Sequence, residues 1–390
     1  MPNPIYAALP TTIFEVMSGL AREYGAINLG QGFPDEAGPE PIRRAAAKAL
    51  LNGYNQYPPM AGIPELREAV ARHYGGIQDL DLDWKSEVTV TSGATEALAC
   101  AFLALIEPGD EVVLFQPLYD AYLPMVRRAG GVARLVGLEP PHWRFDRAML
   151  EAVFTPRTRL LVLNNPLNPT ASVCPEADLA LLAEFCVRFD AVAVCDEVWD
   201  QVVFAPSRHL PLMAFPGMRD RCVKIGSAGK MFALTGWKVG FLIAAPALTQ
   251  VLAKAHQFLT FTTPPNLQAA VAWGLGNSDD WFAAMPAELA CSRDRLTAAL
   301  RREGFAVLES AGTYFLNVDL AASGVAEGDR DFCLRAVREA GVAAIPVSSF
   351  YETDPVTTIV RLCFAKRDDT LDEGARRLAK ARGLSRLVAP

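Results

Sequence analysis

The sequence predicts an α/β fold: a large, mostly parallel, seven-stranded sheet covered by helices, with a smaller α+β domain. Three observations carry this. Seven short runs lie between residues 87 and 244, most of them β-branched and apolar throughout rather than alternating, as strands buried on both faces are. Helical patterns lie between several of them, and strand–helix alternation over such a length builds a parallel sheet. Beyond about residue 245 helices and strands follow in mixed order. The expected division is an arm over 1–40 that also joins the small domain, a large domain over 41–280 and a small domain over 281–390, in line with ~100–200 residues per domain.

Residues 3–31 show one strong element, a helix over 13–24, and otherwise run as an arm. The strands are expected at 87–91 (EVTVT), 111–115 (EVVLF), 132–138 (VARLVGL), 160–163 (LLVL), 192–195 (VAVC), 223–226 (VKIG) and 239–244 (VGFLIA). A helix over 95–106 stops at Pro108-Gly109, and another over 176–189 starts behind Pro175. Next come one long helical stretch from 247 to about 275, a helix over 291–303, strands over 305–309 and 314–318, and a helix over 330–339. Strands around 342–347 and 358–364 and a final helix complete the small domain.

Composition excludes several classes. With 51% hydrophobic residues and a net charge of −7, the 390-residue chain is not predominantly disordered and offers no basic face for nucleic acid. No apolar run approaches the ~20 residues of a membrane helix, and residues 1–10 lack the pattern of a signal peptide. Eight cysteines without a CxxC pair read as buried thiols in a reducing cytoplasm. The four histidines are too widely spaced for a zinc pattern, and no metal is expected.

In an open parallel sheet, ligands bind beyond the carboxyl ends of the strands. Those ends carry Thr91-Ser92-Gly93-Ala94-Thr95, Gln116-Pro117-Leu118-Tyr119, the run 164–169 (NNPLNP), Asp196-Glu197 and Gly226-Ser227-Ala228-Gly229-Lys230. No GxGxxG follows a strand, and the run 226–231 lacks the first glycine and the Ser/Thr of a phosphate loop. A third chemistry fits. Gly93-Ala94-Thr95 opens a helix whose free N–H groups favour a phosphate, to which Ser227 and Lys238 can add contacts. Lys230 can form a Schiff base with a carbonyl cofactor, and Asp196 can pair with a protonated pyridine nitrogen. Pyridoxal 5′-phosphate chemistry needs that set.

Seven stretches in order, 28–35 (NLGQGFPD), 55–57 (NQY), 92–98, 166–170 (PLNPT), 196–198 (DEV), 226–230 (GSAGK) and 236–240 (GWKVG), resemble those of class I pyridoxal-phosphate aminotransferases of fold type I. The resemblance spans essentially the whole chain. Its start narrows it to the kynurenine, glutamine, methionine and N-succinyldiaminopimelate aminotransferases. It implies that Lys230 holds the cofactor and moves the proton, Asp196 pairs with the ring nitrogen, Asn168 meets the phenolic oxygen and Tyr119 stacks on the ring. Ala94, Thr95, Ser227 and Lys238 match phosphate contacts, and Tyr57 matches a tyrosine arriving from the neighbouring subunit of a homodimer. Arg361 and Gly32 match contacts to the substrate carboxylate; Phe14 matches an aromatic of the side-chain pocket.

The pattern departs from the family in three places. Trp199 stands where a tyrosine normally meets the phenolic oxygen, Ala171 replaces a common glycine, and the run 261–263 (FTT) lacks a histidine carried by kynurenine- and glutamine-using relatives. The implied activity is transfer of an amino group from a neutral bulky or aromatic amino acid, methionine-like side chains favoured, to a 2-oxo acid. The alternatives are a cysteine-S-conjugate β-lyase and an N-succinyldiaminopimelate aminotransferase. A regulator built on the same fold would carry a DNA-binding domain for which residues 1–13 leave no room.

Overall fold

The computed structural model describes residues 2–385. A two-residue strand, β1 (Ile27–Asn28), precedes the seven strands of the large sheet: β2 (Val88–Thr91), β3 (Glu111–Gln116), β4 (Val132–Gly137), β5 (Thr158–Asn164), β6 (Val192–Asp196), β7 (Cys222–Ser227) and β8 (Gly240–Ala244). Their order is β2-β8-β7-β6-β5-β3-β4, and every pairing is parallel except those of β8, which runs against both neighbours. The sheet is therefore mostly parallel, as the sequence predicts.

Apart from the edge strand β4, which is exposed or half-buried along most of its length, the strands read as continuous apolar runs because neither face meets water. Val112 and Leu114 point into one core with Leu160, Val162 and Val194, while Val113 and Phe115 point into the other with Leu161, Leu163 and Ala193. Each such side chain contributes about 1.5–3 kcal/mol on burial. A one-residue register slip would exchange the two cores. The observed register sets Asn164 of β5 opposite Asp196 of β6, and Asp196 opposite Ile225 of β7. The polar strand ends thus arrive side by side at one edge.

A second, antiparallel sheet is formed by β9 (Ala306–Val307), β10 (Phe315–Asp319), β12 (Ile345–Pro346) and β13 (Ile359–Cys363), in the order β12-β13-β10-β9. Its central strand β13 carries Arg361 opposite Asn317 on one side and Ile345 on the other. The chain start belongs with this part, since β1 pairs in parallel with β11 (Val342–Ala343) and Leu29 accepts a hydrogen bond from Cys363.

Several expectations shift. The helical stretch expected over 247–275 is two helices, Pro246–Leu259 and Pro265–Asn277, broken where Pro264-Pro265 removes N–H donors and restricts the preceding residue. The helix expected at 291–303 starts at Asp279 and runs through Pro286 to Arg302. Glu87 belongs to a helical turn, Trp84–Glu87, that precedes β2. The strand expected over 305–309 shrinks to Ala306–Val307, and the arm contains an additional short helix, Pro4–Ala7. Among the described residues no helix is long and apolar enough to cross a membrane.

Candidate active site

At the carboxyl edge of the large sheet lies a cavity of about 170 Å³, lined by residues of five strand ends: Ala94 and Thr95, Tyr119, Asn168, Asp196 and Trp199, Ser227 and Lys230, with Lys238 closing one side. Nine of the thirteen residues proposed from the sequence therefore share one space. Arg361, Gly32 and Phe14 lie beside it, tied in through Asn168 and Tyr314, as described below. Tyr57 does not reach it: the side chain is 81% exposed and packs edge-on against Phe261, with ring centroids 5.5 Å apart.

Asp196 ends β6, buried among apolar neighbours. Its Oδ2 accepts a hydrogen bond of 2.6 Å from the Tyr122 hydroxyl, whereas its Oδ1 is buried without a partner. Burial lifts its pKa to about 6, against the pull of the Tyr122 hydrogen bond and of the Lys230 charge. An orphaned buried carboxylate oxygen costs about 1–3 kcal/mol unless something donates to it.

Lys230 sits in the first turn after β7, its Nζ 4.6 Å above the Trp199 ring and 3.1 Å from the Tyr314 hydroxyl. Desolvation lowers its pKa to about 8; the Arg361 and Lys238 cations push the same way, while Cys363 and Asp196 oppose them. The amine is thus neutral over part of the ordinary pH range, as a proton acceptor must be.

The helix Gly93–Leu105 begins at the cavity, and its first N–H groups lack partners four residues earlier. Gly93 has φ +76°, and a Cβ there would lie 3.3 Å from Lys238 Nζ, so the ammonium lies against bare backbone at the helix start. Ser227 lines the same corner. Partial positive charge and an ammonium together make an anion cradle.

Tyr119 lines the cavity with its ring edge-on to Tyr122 at 5.7 Å. Burial, with Asp120 and Asp196 nearby, raises its pKa to about 12, so the phenol stays neutral. Asn164 braces the floor, donating to the Asp196 carbonyl at 2.8 Å and accepting from the Asn168 N–H at 2.9 Å. Asn168 Oδ1 in turn accepts 2.7 Å from Arg361.

Arg361 is 1% exposed. One terminal nitrogen donates to Asn168, the other to the Gly30 carbonyl at 2.8 Å, and Nε has no partner. Among the described residues no carboxylate lies within ion-pair distance of it, the aromatic rings of Phe315, Phe14 and Phe350 lie 4.0, 5.3 and 5.4 Å from its guanidinium carbon, and burial lowers its pKa to about 10. Gly32 accepts from Tyr314 through its carbonyl, and a Cβ there would come 2.8 Å from Phe315, so a larger residue would displace this segment.

Three contributors went unassigned in the sequence: Tyr122, Asn164 and Tyr314. Tyr122 lies three residues past Tyr119, a spacing that puts both on one side of a turn. Tyr314 leaves no local signal, because its partners Lys230 and Gly32 are 84 and 282 residues away.

The chain is similar to known proteins over nearly its whole length. The family model for aminotransferase class I and II matches residues 24–378. The chain is 45% identical to a probable N-succinyldiaminopimelate aminotransferase of Mycobacterium tuberculosis, over 95% of this chain and 96% of that one. It is 40% identical to the methionine aminotransferase of Escherichia coli, covering 97% and 98%, and 34% identical to rat kynurenine–oxoglutarate transaminase 1, covering 93% of each. The solved structure of N-succinyldiaminopimelate aminotransferase from M. tuberculosis superimposes with a TM-score of 0.95 at 44% identity, over 98% of this chain and 100% of that one. An E. coli structure identified as a methionine aminotransferase gives 0.94 at 40% identity, over 97% and 99%. The chain belongs to the class I and II aminotransferases and is a fold type I transaminase that depends on pyridoxal 5′-phosphate.

Proposed function

We propose that this transaminase takes the amino group of a neutral, bulky or aromatic L-amino acid, with methionine-like side chains favoured, and passes it to a 2-oxo acid. The observation that carries this reading is Arg361: a buried guanidinium with no carboxylate of its own, ringed by Phe14, Phe315 and Phe350. A planar fork of donors suits an α-carboxylate, and apolar rings beside it suit an uncharged side chain.

The residues fit the cofactor. Asp196 has an unpartnered oxygen to accept from a protonated ring nitrogen, and the aromatic Tyr119 and the N–H-bearing side chains of Asn168 and Trp199 line the same cavity. Ala94, Thr95, Ser227 and Lys238 form the anion cradle. When bound, pyridoxal phosphate supplies an electron sink for the pair left by a broken Cα–H bond. The chain's own part is to orient and to move a proton. Arg361 and the Gly30–Gly32 backbone fix the carboxylate, which fixes the Cα bond that is presented. Lys230 Nζ would take the Cα proton and return it two atoms along, to the carbon on the far side of the substrate nitrogen; its lowered pKa favours the unprotonated amine for that step.

A homodimer with Tyr57 completing the partner's phosphate site is part of the proposal. Tyr57 is supported in this by its neighbourhood: Leu51, Tyr54 and Phe258 are also exposed, apolar surface of the kind that a subunit interface covers. We assign the enzyme to the cytoplasm, where its free cysteines stay reduced.

One second reading is favoured by a specific observation: the 45% identity to the probable N-succinyldiaminopimelate aminotransferase. A panel of amino donors with one 2-oxo acid acceptor, scored by 2-oxo acid formed, separates the two. Methionine and aromatic donors turning over fastest supports the proposal; N-succinyldiaminopimelate outpacing them replaces it. Pyruvate and ammonia released from a cysteine conjugate without acceptor would identify a β-lyase instead.

A further inference from the structure

Lys230 Nζ lies 3.1 Å from the Tyr314 hydroxyl, and that hydroxyl hydrogen bonds onward to the Gly32 carbonyl. A carbonyl only accepts, so the single phenolic proton is committed to Gly32. What Tyr314 presents to Lys230 is a lone pair. The ring cannot swing away: Trp199 meets it edge-on at 4.3 Å and Phe315 packs at 5.0 Å. Trp199 also lies on Lys230, but an indole offers no hydrogen-bond acceptor. Of these two aromatic side chains, Tyr314 alone can accept from the amine.

Gly32 belongs to the same short segment as Gly30, whose carbonyl takes an N–H of Arg361 at 2.8 Å. One stretch of backbone therefore touches both the carboxylate-binding guanidinium and, through one phenol, the amine.

We propose that Tyr314 is a positioning residue for Lys230, holding the amine by accepting its N–H and coupling its location to the Gly30–Gly32 backbone at the substrate carboxylate. The proposal rests on Lys230 being the lysine that joins the cofactor and carries the proton. The other groups acting on that amine are Asp196, Arg361, Lys238 and the Cys363 thiol, and Tyr314→Phe removes none of them.

The test is Tyr314→Phe in the holoenzyme, with three readouts. Turnover falls about tenfold with KM nearly unchanged, because a misplaced base slows chemistry rather than binding. The isotope effect with a Cα-deuterated donor rises, since proton transfer limits more of the cycle. The pH at which the bound cofactor's visible absorption changes moves down, because a protonated nitrogen has lost an acceptor. A merely structural tyrosine would alter thermal stability and leave the isotope effect and the absorption midpoint alone; that result overturns the proposal. If Tyr314→Phe does not fold, a fluorotyrosine at 314, a weaker acceptor of nearly the same shape, must shift the midpoint the same way, and no shift overturns it. Borohydride reduction of the same samples keeps the two claims apart. A label on Lys230 with unmoved kinetics defeats Tyr314 alone, whereas a label on another lysine defeats the reading beneath it.

Discussion

The Tyr122 hydroxyl donates a 2.6 Å hydrogen bond to Asp196 Oδ2, leaving Oδ1 of the same buried carboxylate without a partner. One oxygen is held so that the other can serve. A hydrogen bond to a charged group contributes about 1.5–3 kcal/mol. Tyr122→Phe should therefore raise the Asp196 pKa further and weaken cofactor Kd by about 10-fold or more. Titration of cofactor-free protein with pyridoxal phosphate measures this, and unchanged affinity would show that Tyr122 only packs.

Retention of the cofactor should depend on pH with a definite sign. Burial raises the Asp196 pKa to about 6, so the carboxylate becomes protonated as pH falls through that value and no longer accepts from a protonated ring nitrogen. Kd should rise below pH 6, and Asp196→Asn should be weak and flat across the range. Lys230, lowered to about 8, loses its proton as pH rises through that value. The rate of covalent attachment to cofactor-free protein should climb through pH 8, followed by the growth of visible absorbance.

Arg361→Met should separate stability from activity. Removing a buried, unpaired guanidinium relieves desolvation, but it leaves the Gly30 carbonyl and the Asn168 amide oxygen without their donor. These effects offset, and the unfolding free energy of the holoenzyme should stay within about 1–2 kcal/mol of the parent. Loss of the bidentate contact should nonetheless lower kcat/KM by about 100-fold or more. Thermal melting and steady-state kinetics on the same sample check both halves.

Lys224 gives the opposite pattern. It is fully buried in β7, the strand beside the one that carries Asp196, bridges Glu197 and Asp200, and lies 4.5 Å over the Tyr74 ring. Lys224→Met takes the lysine cation from two buried carboxylates, leaving Glu197 only His209 and Asp200 only Gln78 among the described residues, and should cost about 3–5 kcal/mol. Denaturant unfolding measures it; a loss under about 1 kcal/mol would mean that the carboxylates take up protons cheaply.

Tyr57→Phe tests the subunit arrangement. If its hydroxyl completes the partner's phosphate site, cofactor retention weakens while the protein stays dimeric by light scattering. A monomeric parent protein would contradict the shared site directly.

The legible part of the fold was the part with local cause. Strands buried on both faces announce themselves by composition, and the register that unites Asn164 with Asp196 follows once those strands pair in parallel. Most of the cavity wall was readable because its side chains occupy the first residues after those strands. Helix continuity was less legible. Pro286 is accommodated inside a helix while Pro264-Pro265 ends one, and only packing distinguishes the two. Tyr122 and Tyr314 escaped because their roles come from partners distant in sequence. The placement of Tyr57, away from the cavity of its own chain, is legible only through an expected second subunit.

The most direct measurement is borohydride reduction of the yellow holoenzyme followed by peptide mapping. The account predicts a single pyridoxyl label on Lys230, lost in Lys230→Ala together with turnover. A label on any other lysine, or full activity in Lys230→Ala, would contradict it.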